Sequence, residues 1–121
     1  MIIADTSVWV EHFRRKDTPI RSLLGEAIIL MHPFVFGELL LHGLPKQGGI
    51  AATLLELDAA PIATPAEAAA FISWAKLMGT GVGYVDVHLL LSARMLANGR
   101  IMTLDHDLHA QAARLGVAYA T

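Results

Sequence analysis

Four short apolar runs, separated by helix-length sequence, constrain this chain more than any other feature. Met1-Ile2-Ile3-Ala4, Ala27 to Met31, Arg100-Ile101-Met102-Thr103 and Val117-Ala118-Tyr119 are each too short for a stable helix, and their aliphatic residues suit buried strands. Between them the punctuation is helical. Thr6 or Ser7 can cap a helix over residues 8 to 15, and Thr18-Pro19 opens a second. His32-Pro33 starts a third to about Leu41, stopped at His42-Gly43, and residues 47 to 57 form a fourth. Thr64-Pro65-Ala66-Glu67 supplies a cap, a first-turn proline and an acid for a helix to about Met78. Tyr84 to Ala97 is the longest helical pattern, ended by Asn98-Gly99, and residues 107 to 115 form a last helix. Pro61-Ile62-Ala63 reads as a short edge segment. Strands that alternate with helices imply an α/β sandwich: a mostly parallel central sheet with helices on both faces.

The 121 residues fit one domain, 1–121, with a single core. An apolar fraction of 55% and a mean hydropathy of +0.51 are high for that size, so some apolar surface should stay exposed for a partner or a second copy. There is no cysteine, which excludes disulfides, thiolate zinc sites and cysteine nucleophiles. No run of 18 apolar residues occurs and Asp5 interrupts the N-terminal segment, so the expectation is a cytoplasmic protein with no membrane association. The formal net charge of −2 offers no bulk positive field to attract a nucleic acid.

The acids are where the chemistry concentrates. In a parallel sheet the site lies beyond the carboxyl ends of the strands. Asp5 directly follows the first strand and Asp105 the strand at 101–103, so both belong to one end of the sheet. Glu38 sits inside an apolar helical stretch, and Asp86 lies in the first turn of a helix between Val85 and Val87. No lysine or arginine stands within four residues of Asp5, Glu38 or Asp86. A carboxylate buried without a partner costs several kcal/mol, roughly, so these groups call for a cation. Mg²⁺ takes oxygen ligands and keeps several waters, so a few carboxylates suffice to hold it. Taken singly, each acid has a plainer role: Asp5 as a helix cap, Asp86 as a favourable dipole partner, Glu38 as part of a polar stripe.

The motifs carrying these acids resemble, in order, those of VapC-type toxins, the PIN-domain ribonucleases of type II toxin–antitoxin pairs. Asp5-Thr6-Ser7-Val8-Trp9-Val10 is similar to the opening motif, and His32-Pro33-Phe34-Val35 through Gly37-Glu38-Leu39 to the segment with the helix glutamate. Gly81-Val82-Gly83-Tyr84-Val85-Asp86-Val87-His88 resembles the third acidic motif, and Thr103-Leu104-Asp105-His106-Asp107-Leu108 the fourth. The resemblance implies a PIN-like three-layer sandwich. It implies a catalytic acidic pocket of Asp5, Glu38, Asp86 and Asp105, with Asp5, Asp86 and Asp105 on Mg²⁺ or a substituting Mn²⁺. It further implies hydrolysis of RNA, such as a tRNA or ribosomal site, by metal-activated water. Silencing by a VapB-type antitoxin and homodimerisation are also implied. Thr6, Thr103 and Asp107 are expected to support the acids, and Arg14, Arg15 and Lys16 are candidate contacts to RNA phosphate. A nuclease-dead PIN scaffold used only for binding is the alternative.

The remaining features point elsewhere less well. His106 and His109 lie three apart beside acids but lack a third histidine for zinc. His32, His42 and His88 read as turn, surface or core residues, with His88 the one nearest an acid. Trp9, Phe13, Phe34, Phe36 and Trp74 read as core or interface. Gly79, Gly81 and Gly83 lack the spacing and the following Lys-Ser/Thr of a phosphate loop. A dehalogenase-like phosphatase needs an acid where Ser7 stands, and a receiver domain using Asp58 needs a lysine later than Lys76.

Overall fold

The computed structural model describes residues 1–15, 17–46 and 48–120. The elements run β1 (Ile2–Ala4), α1 (Thr6–Arg15), α2 (Pro19–Gly25), β2 (Ile29–Met31), α3 (Pro33–His42), α4 (Ile50–Leu55), β3 (Asp58–Ala59), α5 (Pro65–Trp74), α6 (Tyr84–Arg94), β4 (Arg100–Met102) and α7 (His106–Arg114). Every strand pair is parallel, and the order across the sheet is β3-β2-β1-β4. Ile2, Ile3 and Ala4 of β1 and Ile29, Leu30 and Met31 of β2 are all buried, so helices cover both faces. The α/β sandwich read from the alternation is therefore present, in the three layers that the resemblance implied. Trp9, Ile20, Leu89, Leu90, Ile101 and Leu108 are among the largest fully buried side chains.

The strand order places the site. From β1 the chain steps outward through β2 to β3, then returns to set β4 on the other side of β1. The direction reverses between β1 and β4, and a crevice opens at such a switch point beyond the carboxyl ends. The Asp5 amide still donates to the Met102 carbonyl at 3.0 Å, closing the β1–β4 ladder at the threshold of that crevice.

Several boundaries differ from expectation for local reasons. The edge strand is Asp58–Ala59, not residues 61–63: Ala60 donates to Met31 at 3.0 Å, but Pro61 has no N–H to continue the ladder. Residues 117–119 form only one parallel bridge, Ile101 to Ala118, and not a full strand. Helix α5 ends at Trp74 instead of Met78. Lys76 turns left-handed at φ 54°, while the amides of Lys76 and Leu77 satisfy the carbonyls of Ser73 and Ile72. Helix α6 stops at Arg94, short of Ala97, in a turn completed by left-handed Asn98 and by Gly99, where a Cβ would overlap the Ala93 carbonyl. Helix α1 begins at Thr6, two residues early, and α4 is only Ile50–Leu55. Gln47, the expected start of that helix, lies outside the described residues.

Candidate active site

Asp5 is the most enclosed of the acids, at 6% exposure. Leaving β1, its carboxylate caps α1: Oδ1 accepts from the Val8 amide at 3.1 Å and from the Ser7 hydroxyl at 2.6 Å. Its Oδ2 accepts from the Thr103 hydroxyl. Both hydroxyls also reach the loop after β4. Ser7 Oγ accepts the Leu104 amide at 3.1 Å, and Thr103 Oγ accepts the Asp105 amide at 2.9 Å. Two hydroxyls thus tie the Asp5 carboxylate, oxygen by oxygen, to the segment that carries Asp105. A carboxylate held at both oxygens cannot rotate away, which is what a fixed ligand or catalytic group requires.

The other acids arrive from separate elements. Asp105 caps α7, its Oδ1 accepting from the Leu108 amide at 2.8 Å. Asp86, half-buried in the first turn of α6, accepts the Gly83 amide on Oδ2 at 3.1 Å. Glu38 projects from the middle of α3, where Oε1 accepts from the Thr6 hydroxyl at 2.7 Å. The cap role read for Asp5 is thus real, Asp86 and Asp105 also bond amides at the starts of their helices, and each leaves part of its carboxylate for other partners.

Electrostatics show that the four share one neighbourhood. Burial raises Asp86 above its ordinary value; the Gly83 amide opposes this, and Asp5, Asp105 and Glu38 each add repulsion. Asp5 is raised chiefly by burial. Its bonds from Ser7, Thr103 and Val8 pull the other way, and Asp105 pushes it up further. Among the described residues the ion pairs are Arg14 and Arg15 with Glu11, and none includes Asp5, Glu38, Asp86 or Asp105. As the side chains stand, no three acids or histidines among the described residues close around a single ion position. The donor chemistry, carboxylate oxygens, suits a hard divalent ion.

The remaining expected site residues divide. Thr6 and Thr103 each bond an acid, on Glu38 and Asp5 respectively. Asp107 is exposed and lies against Gly81, whose φ of 90° suits glycine and where a Cβ would overlap the Asp107 carboxylate. It is not among the charges acting on Asp86. Arg14 and Arg15 stand exposed at the end of α1, and Lys16 lies outside the described residues. Ser7, expected only as a helix cap and as part of the Asp5-Thr6-Ser7 motif, is instead a second hydroxyl on Asp5, which takes the cap itself. Its signal was there: a hydroxyl two residues after an acid at a strand end.

Behind the acids, His32 and His88 are buried, with ring centroids 6.4 Å apart. His32 Nδ1 accepts the Phe34 amide at 3.0 Å, and burial, then His88, lower its pKa to about 4. Burial lowers His88 as well, and among the described residues neither of its ring nitrogens has a hydrogen-bond partner. Both belong to the core as neutral rings; Phe34 and Tyr84 pack edge-on against His88, each at 4.7 Å between centroids.

A family model described as PIN domain matches residues 2–115. The chain belongs to the PIN-domain family. Within that family it is similar to Ribonuclease VapC32 of Mycobacterium tuberculosis, in strain CDC 1551 / Oshkosh and in strain H37Rv alike. The identity is 37% over 120 residues, covering 99% of this chain and 97% of each relative. This PIN domain is thus of the VapC type, as its ordered acidic motifs implied. No helix among its described residues is long and apolar enough to cross a membrane.

Proposed function

We propose that this chain is a Mg²⁺- or Mn²⁺-dependent endoribonuclease, the toxin of a pair with a VapB-type antitoxin, working in the cytoplasm as one domain of 1–121. One observation carries the reading: at the switch point of a parallel sheet, Asp86 feels Asp5, Asp105 and Glu38, and no basic side chain among the described residues pairs with them. Raised, uncompensated carboxylates are what a divalent ion relieves. Asp5, Asp86 and Asp105 would hold it, with Glu38 beside them. When bound, the ion supplies Lewis acidity toward phosphate and lowers the pKa of its water.

The protein's own contribution is placement and proton handling. Ser7 and Thr103 lock Asp5, and Thr6 holds Glu38. Asp86 is anchored through Oδ2, which leaves Oδ1 as the atom that would face the ion, and a carboxylate oxygen of the same cluster would take the proton of the attacking water. Exposed Leu41 and Met78, each 90% accessible, together with Leu55 and Trp74, support a hydrophobic partner or a homodimer.

Asp5→Asn tests the reading. The variant should keep the native circular dichroism spectrum and lose Mg²⁺-dependent RNA cleavage; cleavage at the wild-type rate sinks the assignment. A second reading, a PIN scaffold that binds without cutting, is favoured by the lack, among the described residues, of any three acids or histidines grouped so as to hold one ion. Wild-type protein that cuts no RNA with either ion supports it.

A further inference from the structure

A second concavity lies beside the acids. It is a cleft of about 280 Å³ between α1, the start of α2, the end of β4 and α7. Val8, Pro19, Met102 and Leu104 give it apolar surface, while Glu11, Asp17, His109 and Tyr119 bring polar groups. Thr103 lines it too, and the same hydroxyl donates to Asp5 Oδ2. The cleft therefore begins where the acidic site ends.

We propose that this cleft takes one nucleobase of an RNA strand whose phosphate lies over Asp5, a reading that rests on the nuclease assignment above. A phosphate does not fit its chemistry: Glu11 and Asp17 are acidic, and Arg15, the cation at the rim, is already paired with Glu11 at 3.5 Å. A flat heterocycle does fit. Its faces meet apolar side chains and the Tyr119 ring, and its polar edge meets acceptors and donors that have nothing else to bond. Among the described residues the side chains of Asp17, His109 and Tyr119 make no hydrogen bond, whereas Thr18 is engaged by His12 at 2.8 Å. A carboxylate at the rim accepts from an exocyclic amine, which favours cytosine, adenine or guanine over uracil. Leu104, 65% exposed with its amide fixed on Ser7, is placed to guide the strand from one compartment to the other.

The test uses the full chain as Asp5→Asn, titrated with short single-stranded oligoribonucleotides that differ at one base and followed by NMR. The expected result is saturable shifts at Tyr119 and His109 that depend on that base. Tyr119→Ala should weaken binding of the preferred oligonucleotide by about fivefold to a hundredfold. Its backbone amide, which donates to Ile101 at 2.9 Å, stays in place. Asp17→Asn, a milder change at an exposed position, should alter which base is preferred at that single position. RNA that shifts residues around Asp86 but leaves Tyr119 and His109 unmoved overturns the proposal. So does a basic or apolar peptide that fills the cleft while no oligonucleotide does. Base-dependent shifts in the cleft, from a chain whose wild type cuts no RNA, uphold the cleft and count against the nuclease reading instead.

Discussion

Replacing Thr103 by valine keeps the shape of the side chain and removes one hydroxyl that works twice. The hydroxyl donates to the enclosed Oδ2 of Asp5 and accepts the Asp105 amide at 2.9 Å. A hydrogen bond to a charged group contributes about 1.5–3 kcal/mol and a neutral one about 0.5–1.5 kcal/mol. The Asp105 segment is exposed, so water can replace part of the second bond, and the expected loss is about 2–3 kcal/mol. For a domain of this size that lowers Tm by about 6–15 °C. Thr103→Ser, which restores the hydroxyl, should recover most of the difference. Thermal unfolding in chelator, followed by circular dichroism, measures stability without any bound metal. RNA cleavage should fall along with it in Thr103→Val, because Asp5 loses one of its two tethers to the Asp105 loop. A valine variant within about 0.5 kcal/mol of wild type, with unchanged cleavage, refutes the idea that Thr103 holds the site together.

The acids also predict a pH dependence. Asp5 and Asp86 are both raised above 3.8, so the folded state binds their protons more tightly than the unfolded chain. Their contribution favours folding below pH 3.8 and is lost as pH rises through their higher native values. In metal-free buffer the wild type should therefore lose stability relative to Asp86→Asn across that rise; a difference that does not vary with pH contradicts it. Gly81→Ala combines a left-handed φ with overlap on Asp107, and urea unfolding should show a loss of about 1–2 kcal/mol. An alanine variant as stable as wild type would mean the 81–83 turn is free to rearrange. Thr64→Ala removes the hydroxyl that accepts the Glu67 amide at 3.1 Å and should cost about 1 kcal/mol with cleavage unaffected. A change in cleavage there would mean that α5 communicates with the acids.

How much of this could be read in advance follows from which signals are local. Helix starts were legible, because caps and prolines act within one turn: Thr64 with Pro65, and His32 with Pro33, begin helices where their chemistry says. Helix ends were less so. At Lys76 the chain adopts the left-handed turn usually given to glycine, and no residue type announces it. The edge strand at Asp58–Ala59 is exposed and barely apolar, so hydrophobicity pointed to 61–63 instead, where the missing proline amide forbids pairing. The acids stood out because each interrupts an apolar segment without a basic neighbour. What could not be read was the wiring between them. Ser7 and Thr103 act on Asp5 through contacts that exist only once β1 and β4 are side by side, 98 residues apart in the case of Thr103. The cleft beside Thr103 is likewise assembled from four segments and has no motif of its own.

The most direct test of a metal-holding acidic pocket is manganese binding, followed by electron paramagnetic resonance on the wild type and on Asp5→Asn, Asp86→Asn and Asp105→Asn. The expected result is saturable binding by the wild type and a loss of affinity of about tenfold or more in each variant, with all four proteins folded. Equal binding by all four, or no binding by any, contradicts it.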